Sequence, residues 1–375
     1  SNVIILLRQR DLHSAKVSQF SSVPSLHNNP YILHVSNPMR LILISISVLL
    51  ISSCKQGPQA PSVDHIPMEL SFHRFDQTFF ALDTQQLEKG LTKLEKEFPG
   101  FYYDYMNYIL GTSGNPSDVT TQQASALFLQ TYRSVYDSLQ SGFENIESLK
   151  KEIKKAHQYL NYYFAGFKPG PIWFYMGPFD APGVAVLKEG VAIGIHQYAG
   201  RNFFAYQNPD IQNLYPTYIS RRFEPAYIVP NLVKAITEDL FPDQSSGKPL
   251  IDQMIEKGKY WYLSRLILPT SADSLITGFT TAQLEWCAES EGLIWTHLIR
   301  SDELQTLSPV LIQNYLGEAP FTQGLSQEYS PGNIGQWIGW RIVETYVNKN
   351  PDITPVQLMQ KSAAEILEKA KYKPR

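Results

Sequence analysis

The sequence predicts an α+β fold, mostly helical, with one small sheet and a single large domain. Three observations lead there. Up to residue 164 the apolar residues recur at spacings of three and four, the signature of helices with one buried face. Between residues 172 and 195 the pattern changes to short apolar and aromatic runs separated by turn residues, as strands require. From Pro225 onward the helical period returns and persists to the end. Strands gathered between helical runs, rather than alternating with them, favour α+β over repeated βαβ units.

The elements follow in order. Residues 1–38 read as translated upstream sequence outside the mature protein. Residues 39–53 read as a signal peptide: Met39-Arg40 supplies a basic start, residues 41–51 an apolar run too short to span a bilayer, and Ile51-Ser52-Ser53-Cys54 the small residues a peptidase cuts beside a cysteine. Cleavage before Cys54 and acylation of that residue would anchor the chain by several acyl chains, enough for stable attachment to a membrane. Residues 54–65, with Gly57, Pro58 and Pro61, read as a tether. The domain then runs over 66–375. Residues 68–72 alternate as a half-buried strand. Asp83-Thr84 caps a helix through Leu87, Leu91 and Leu94 that Pro99-Gly100 ends. Further helices are expected over 102–110, 120–139 and 146–164, the last with Ile153, His157 and Leu160 on one face. Strands are expected at 172–176, 184–187 and 191–195, the last two joined through Lys188-Glu189-Gly190. His196, just beyond them, reads as an edge or loop residue. The remaining helices are 226–241, 250–268, 281–300, a short one at 309–315, 334–347 and 355–370.

Composition narrows the function. Of 32 Lys and Arg and 35 Asp and Glu, only Arg8, Arg10, Lys16, Arg40 and Asp11 precede Cys54, so the part that follows has a formal charge of about −6. With no basic patch, nucleic acid is not an expected partner. Once Cys54 is acylated only Cys287 remains, which rules out an intramolecular disulfide. No His-Glu-x-x-His pair and no Gly-x-Ser-x-Gly elbow occurs, and Ser245-Ser246-Gly247-Lys248 lacks the partner motifs that would make it catalytic. Glu238-Asp239 and Glu289/Glu291 read as helix surface charge. Aromatic residues, 13% of the chain, are clustered and read mainly as packing.

Several stretches carry a joint resemblance: the lipobox at Cys54, a strand carrying Arg74-Phe75-Asp76, the run from Ile195 to Gly200, Pro230-Asn231-Leu232-Val233 leading to Leu240-Phe241-Pro242, Glu291-Gly292-Leu293-Ile294-Trp295, Pro320-Phe321-Thr322, Ser330-Pro331-Gly332-Asn333 with the Gly335 to Val343 run, and Lys371-Tyr372-Lys373-Pro374. Together they resemble the gliding-motility lipoprotein GldB family of Bacteroidota. The resemblance implies a role in gliding, among proteins of the gliding apparatus, in a lineage that exports surface adhesins through the type IX secretion system. It also implies a distant, zincin-like relation to zinc peptidases. In that relation Thr237 and Phe241 stand where the metal histidines would be, Glu238 where the general base would be, and Glu291 where the third ligand would be. A degenerate site follows, with no metal, no cofactor and no catalysis.

The expectation is thus a non-catalytic envelope lipoprotein. Lys55, in place of an aspartate, favours the outer membrane facing the periplasm. Two other readings stay open: an envelope hydrolase using Glu238, Glu291 and His196, and a glycan-binding lipoprotein whose Trp173, Tyr175 or Trp261 stack on sugars. Asn333 is expected to cap the helix over 334–347, with Gly335 and Gly339 admitting a close approach by the helix that begins near Glu291.

Overall fold

A computed structural model describes residues 60–301 and 303–374. The upstream segment, the signal peptide, Cys54 and the tether to residue 59 lie outside the described residues. Four strands form one mixed sheet in the order β1-β2-β4-β3: β1 (Phe72–Arg74), β2 (Ile172–Tyr175), β3 (Val184–Val186) and β4 (Val191–Gly194). The pairs β1–β2 and β2–β4 are parallel, whereas β3 and β4 form the expected antiparallel hairpin. Strands β2 and β4 are buried along their whole length, which is why they read as continuous apolar runs.

The first strand sits later than the alternation suggested. Residues 68–71 belong to no strand, although Met68 is buried and Glu69 exposed as the alternation suggested, and pairing begins only where Ser71 O accepts from Ile172 N at 2.9 Å. Phe75 and Asp76 are therefore not strand residues; they open the short helix Phe75–Phe80. Helices Leu87–Glu97, Val119–Leu139, Glu147–Tyr163, Ile228–Leu240, Leu250–Ile267, Pro309–Leu316 and Ile334–Lys349 match their periodicity closely. Asp83 does not cap the first of these; it accepts from Gln85 N in the preceding turn, and Gln86 takes the cap position without a side-chain bond.

Two expected long helices are each broken in two. The 281–300 run divides at Ser290 into Thr281–Glu289 and Glu291–Arg300, and the 355–370 run divides at Lys361 and Ser362 into Pro355–Gln360 and Ala363–Ala370. Ser362 restarts the chain by accepting from Glu365 N at 3.2 Å, a cap that competes with helix continuation. The 102–110 helix changes to a wider π turn from Tyr105.

The residues from Ser62 on belong to one unit with two apolar cores. One surrounds the sheet and the N-terminal helices, including Phe75, Phe79, Tyr105 and Ile193. The other joins the C-terminal helices through Ile294, Ile338, Val343 and Ile366. Helix Leu250–Ile267 is the common wall, placing Leu263 and Ile267 in the first and Met254 and Ile255 in the second. Among the described residues no helix is long and apolar enough to cross a membrane.

Candidate functional site

The positions that a zinc site would need are placed as follows. Thr237 is fully buried, and its Oγ1 donates to Val233 O and Lys234 O of its own helix, both at 2.9 Å. Phe241 lies past the last turn as the C-cap, with its ring against Phe164 at 5.4 Å and its carbonyl accepting from Tyr260 Oη. Glu238 is half-buried near Tyr260, whose hydroxyl is held above its ordinary range by burial first and then by Glu256, Asp243 and Glu238. Glu291 does open a helix with Gly292. Its Oε1 accepts from Tyr372 Oη at 2.6 Å and Arg341 Nε at 3.3 Å, and Arg341 also pairs with Glu344. Among the described residues no group of three or more His, Cys, Asp or Glu could hold a metal ion.

His196 lies in the short 3-10 turn Ile195–Gln197 directly after β4, but not at an exposed edge. It is completely buried, its Nδ1 accepting from Gly177 N at 3.1 Å and its Nε2 3.1 Å from Ala181 O, which fixes the Nε2–H tautomer. Both ring nitrogens are thus committed to backbone, and burial drives the pKa down to about 4. Gly177 and Gly194 leave room for this ring, since a Cβ on Gly194 would lie 2.4 Å from its Cε1. The hydrolase reading therefore loses its proton carrier. The stacking platform fails for a similar reason: Trp173, Tyr175 and Trp261 are 3%, 2% and 5% exposed. Cys287 is a buried free thiol whose pKa burial, and then Glu291, push up, as befits an inert packing residue.

A different site gathers the segments that carried the resemblance. A cleft of about 200 Å³ runs between the N-terminal half of Ile228–Leu240 and the start of Ile334–Lys349. Asn231 reaches it from the Pro230-Asn231-Leu232-Val233 motif, Gln197 and Tyr198 from the turn after β4, and Asn333 and Gln336 from the C-terminal motif. Helix Ile228–Leu240 packs on the antiparallel edge strand β3 and on β4, which brings Asn231 beside the turn after β4. Asn231 Nδ2 donates to Tyr198 Oη at 2.9 Å, and burial raises that phenol to about 12. Gln336 Nε2 donates to Leu316 O at 2.8 Å, and Gln197 Nε2 to Ala181 O at 2.8 Å.

The charged side of the cleft comes from residues that sequence pattern did not single out. Arg222 meets Glu318 through two N–H···O contacts of 3.0 Å. Gly278, at φ +73°, leaves room for it, because a Cβ there would lie 2.6 Å from Arg222 Nη1. Lys234 is exposed at the same cleft. A larger, open groove of about 620 Å³ lies near the C-terminus, but its cations are already satisfied: Lys361 and Lys369 bind Glu365, and Lys349 donates to Ala370 O.

The C-terminal motif shapes the cleft floor by backbone geometry. Asn333 precedes its helix in the left-handed region, φ 48°, and makes no capping bond with its side chain. Thr322 ties the two proline-containing motifs together, its amide N–H donating to Ser330 Oγ at 3.2 Å and its hydroxyl donating to Pro331 O at 2.7 Å. Gly332 is required there, since a Cβ would meet Ala319 O at 2.3 Å.

Searches among curated proteins and among solved structures gave no match. The chain does match the gliding motility protein GldB family, over residues 56–374, a span that takes in the sheet, both cores and every residue of the cleft. This protein belongs to the GldB family of gliding motility proteins.

Proposed function

We propose that this chain is a lipid-anchored protein of the bacterial cell envelope that serves gliding motility without catalysing a reaction, on a zincin-like framework that has lost its metal site. The observation that carries the non-catalytic part is the fate of the ligand positions. Thr237 uses its hydroxyl on its own helix, Phe241 caps that helix, and Glu291 is held by Arg341 and Tyr372. A zinc site needs imidazole, thiolate or carboxylate donors facing one point. The helix beside the antiparallel edge strand and the helix opening at Glu291-Gly292 support the framework.

Anchoring rests on Cys54 at the end of a short apolar run, and Lys55 after it favours the outer membrane of a Bacteroidota cell, facing the periplasm. Proteins of the gliding apparatus are the expected partners. In gliding cells, Glu238→Gln should leave motility and protein abundance at wild-type levels, and purified protein should contain no stoichiometric zinc. Loss of gliding at normal abundance, or about one zinc per chain, would favour a hydrolase instead. Cys54→Ala should abolish incorporation of labelled palmitate; continued labelling would refute the anchor.

A further inference from the structure

We propose that the cleft between helices Ile228–Leu240 and Ile334–Lys349 binds a carboxylate that adjoins an amide, the group carried by the C-terminal end of a peptide or by a free N-acyl amino acid. The gliding reading does not depend on this.

The main observation is Asn333. It is only 6% exposed and lines the cleft, yet its side-chain amide has no hydrogen-bond partner among the described residues. Its amide atoms are not among the buried polar atoms that lack a partner, so they open onto the cleft, and the left-handed backbone, which Asn tolerates better than most residues, holds them there. A ligand that accepts from and donates to this amide takes the place of water at the cleft wall.

Charge selects the ligand's sign. Lys234 stands at the cleft with no ion pair among the described residues, and Arg222 shares one carboxylate, Glu318. Two cations against one anion leave a positive site, and a carboxylate fits it. The amides select the neighbouring group. Asn231 and Gln336 each commit Nδ2 or Nε2 to a partner, so that a carbonyl oxygen is left to accept from a ligand N–H. Ile219, Ile276 and Trp261 give an apolar wall for a small side chain, and about 200 Å³ suits one or two residues rather than a folded domain or a glycan chain.

The test uses the full-length acylated protein in detergent micelles and isothermal titration. The probes are N-acetylalanine, N-acetyl-trialanine with a free carboxylate, and the same tripeptide as its C-terminal amide. The free carboxylates should bind, and the amide about tenfold or more weaker, as expected when a charge-assisted contact is lost. Lys234→Met, which removes an exposed amine, should keep the wild-type melting temperature and lose binding by a similar factor. Asn333→Gly, which keeps the left-handed backbone, should weaken it several-fold. Tighter binding of the tripeptide than of N-acetylalanine assigns a peptide end; equal binding assigns the free acid. The proposal is overturned if carboxylate and amide bind alike, if inorganic phosphate binds better than either, if Lys234→Met binds as wild type, or if no probe binds.

Discussion

Arg74 and Asp76 carry an ion pair whose carboxylate is wholly shielded from water: Arg74 Nη2 lies 2.6 Å from Asp76 Oδ2, with side chains 15% and 0% exposed. Tyr136 Oη also donates to Asp76, and Arg74 Nη1 donates to Phe143 O at 2.5 Å. The pair thus joins the end of β1 to the helix Val119–Leu139 and the turn after it. Breaking a buried pair leaves a charge without compensation, which costs about 3–5 kcal/mol. Asp76→Asn should therefore lower the urea midpoint strongly at pH 7, and an unchanged midpoint would show that the pair contributes little. His196 makes a second prediction at this scale. Its folded pKa of about 4 lies below its ordinary 6.5, so the unfolded chain takes up a proton first as pH falls. Stability is fully present above 6.5 and is lost between 6.5 and 4, by about 3 kcal/mol from this group. His157, buried and also shifted down, adds in the same direction. Urea unfolding of wild type and His196→Gln at pH 7 and pH 4.5 should show a smaller acid loss in the variant, which starts from a lower stability; equal losses would contradict the assignment.

At the scale of elements, the closest approach is a helix crossing with glycine on both sides. A Cβ on Gly339 would lie 1.7 Å from Met254 O, and one on Gly258 would lie 2.1 Å from the carbonyl carbon of Gly339. The sequence pointed to Gly335 and Gly339 as a close-approach face, and that face is real. Its partner is helix Leu250–Ile267, not the helix that opens at Glu291, because Gly258 supplies the matching gap. Both obstacles are backbone, which cannot rotate aside. Alanine would gain up to about 1 kcal/mol of helix propensity, but overpacking costs typically 1–3 kcal/mol and occasionally more. Gly339→Ala should thus be destabilising on balance, with a lower melting temperature and less folded protein in cells. A variant as stable as wild type would mean that the two helices can separate at little cost. The breaks at Ser290 and at Lys361–Ser362 were hidden for another reason: the apolar periodicity runs through both, and only the fold shows that each half packs on its own.

For the whole molecule, the chain end closes the second core. Tyr372 donates to Glu291 from 81 residues further along the chain, and its ring stands edge-on to Trp295 at 5.1 Å. This contact joins the final Lys371-Tyr372-Lys373-Pro374 to Glu291-Gly292, two of the stretches on which the resemblance rested. Tyr372→Phe keeps the ring contact and removes the bond to a charged acceptor, a loss of about 1.5–3 kcal/mol. Chemical denaturation should show the drop, and no drop would mean that Arg341 alone satisfies Glu291. Because helix Leu250–Ile267 belongs to both cores, Gly339→Ala and Asp76→Asn, although remote in sequence, each act on one shared framework.

Sequence alone determined the helix and strand content, the β3–β4 hairpin, the buried aromatic packing and the family, because these depend on local periodicity and on residue strings that survive in order. It also marked Asn231, Tyr198, Asn333 and Gln336, but only as members of such strings. Tertiary structure decided the parallel pairing of β1 with β2, the burial of His196, the engagement of Glu291 by Arg341 and Tyr372, and the meeting of Asn231 with Asn333 in one cleft. Each of these joins residues tens to more than a hundred positions apart, and local patterns hold no record of which surfaces meet. Whether a polar side chain serves a neighbour or faces a ligand depends on the partners that the fold places within hydrogen-bond reach.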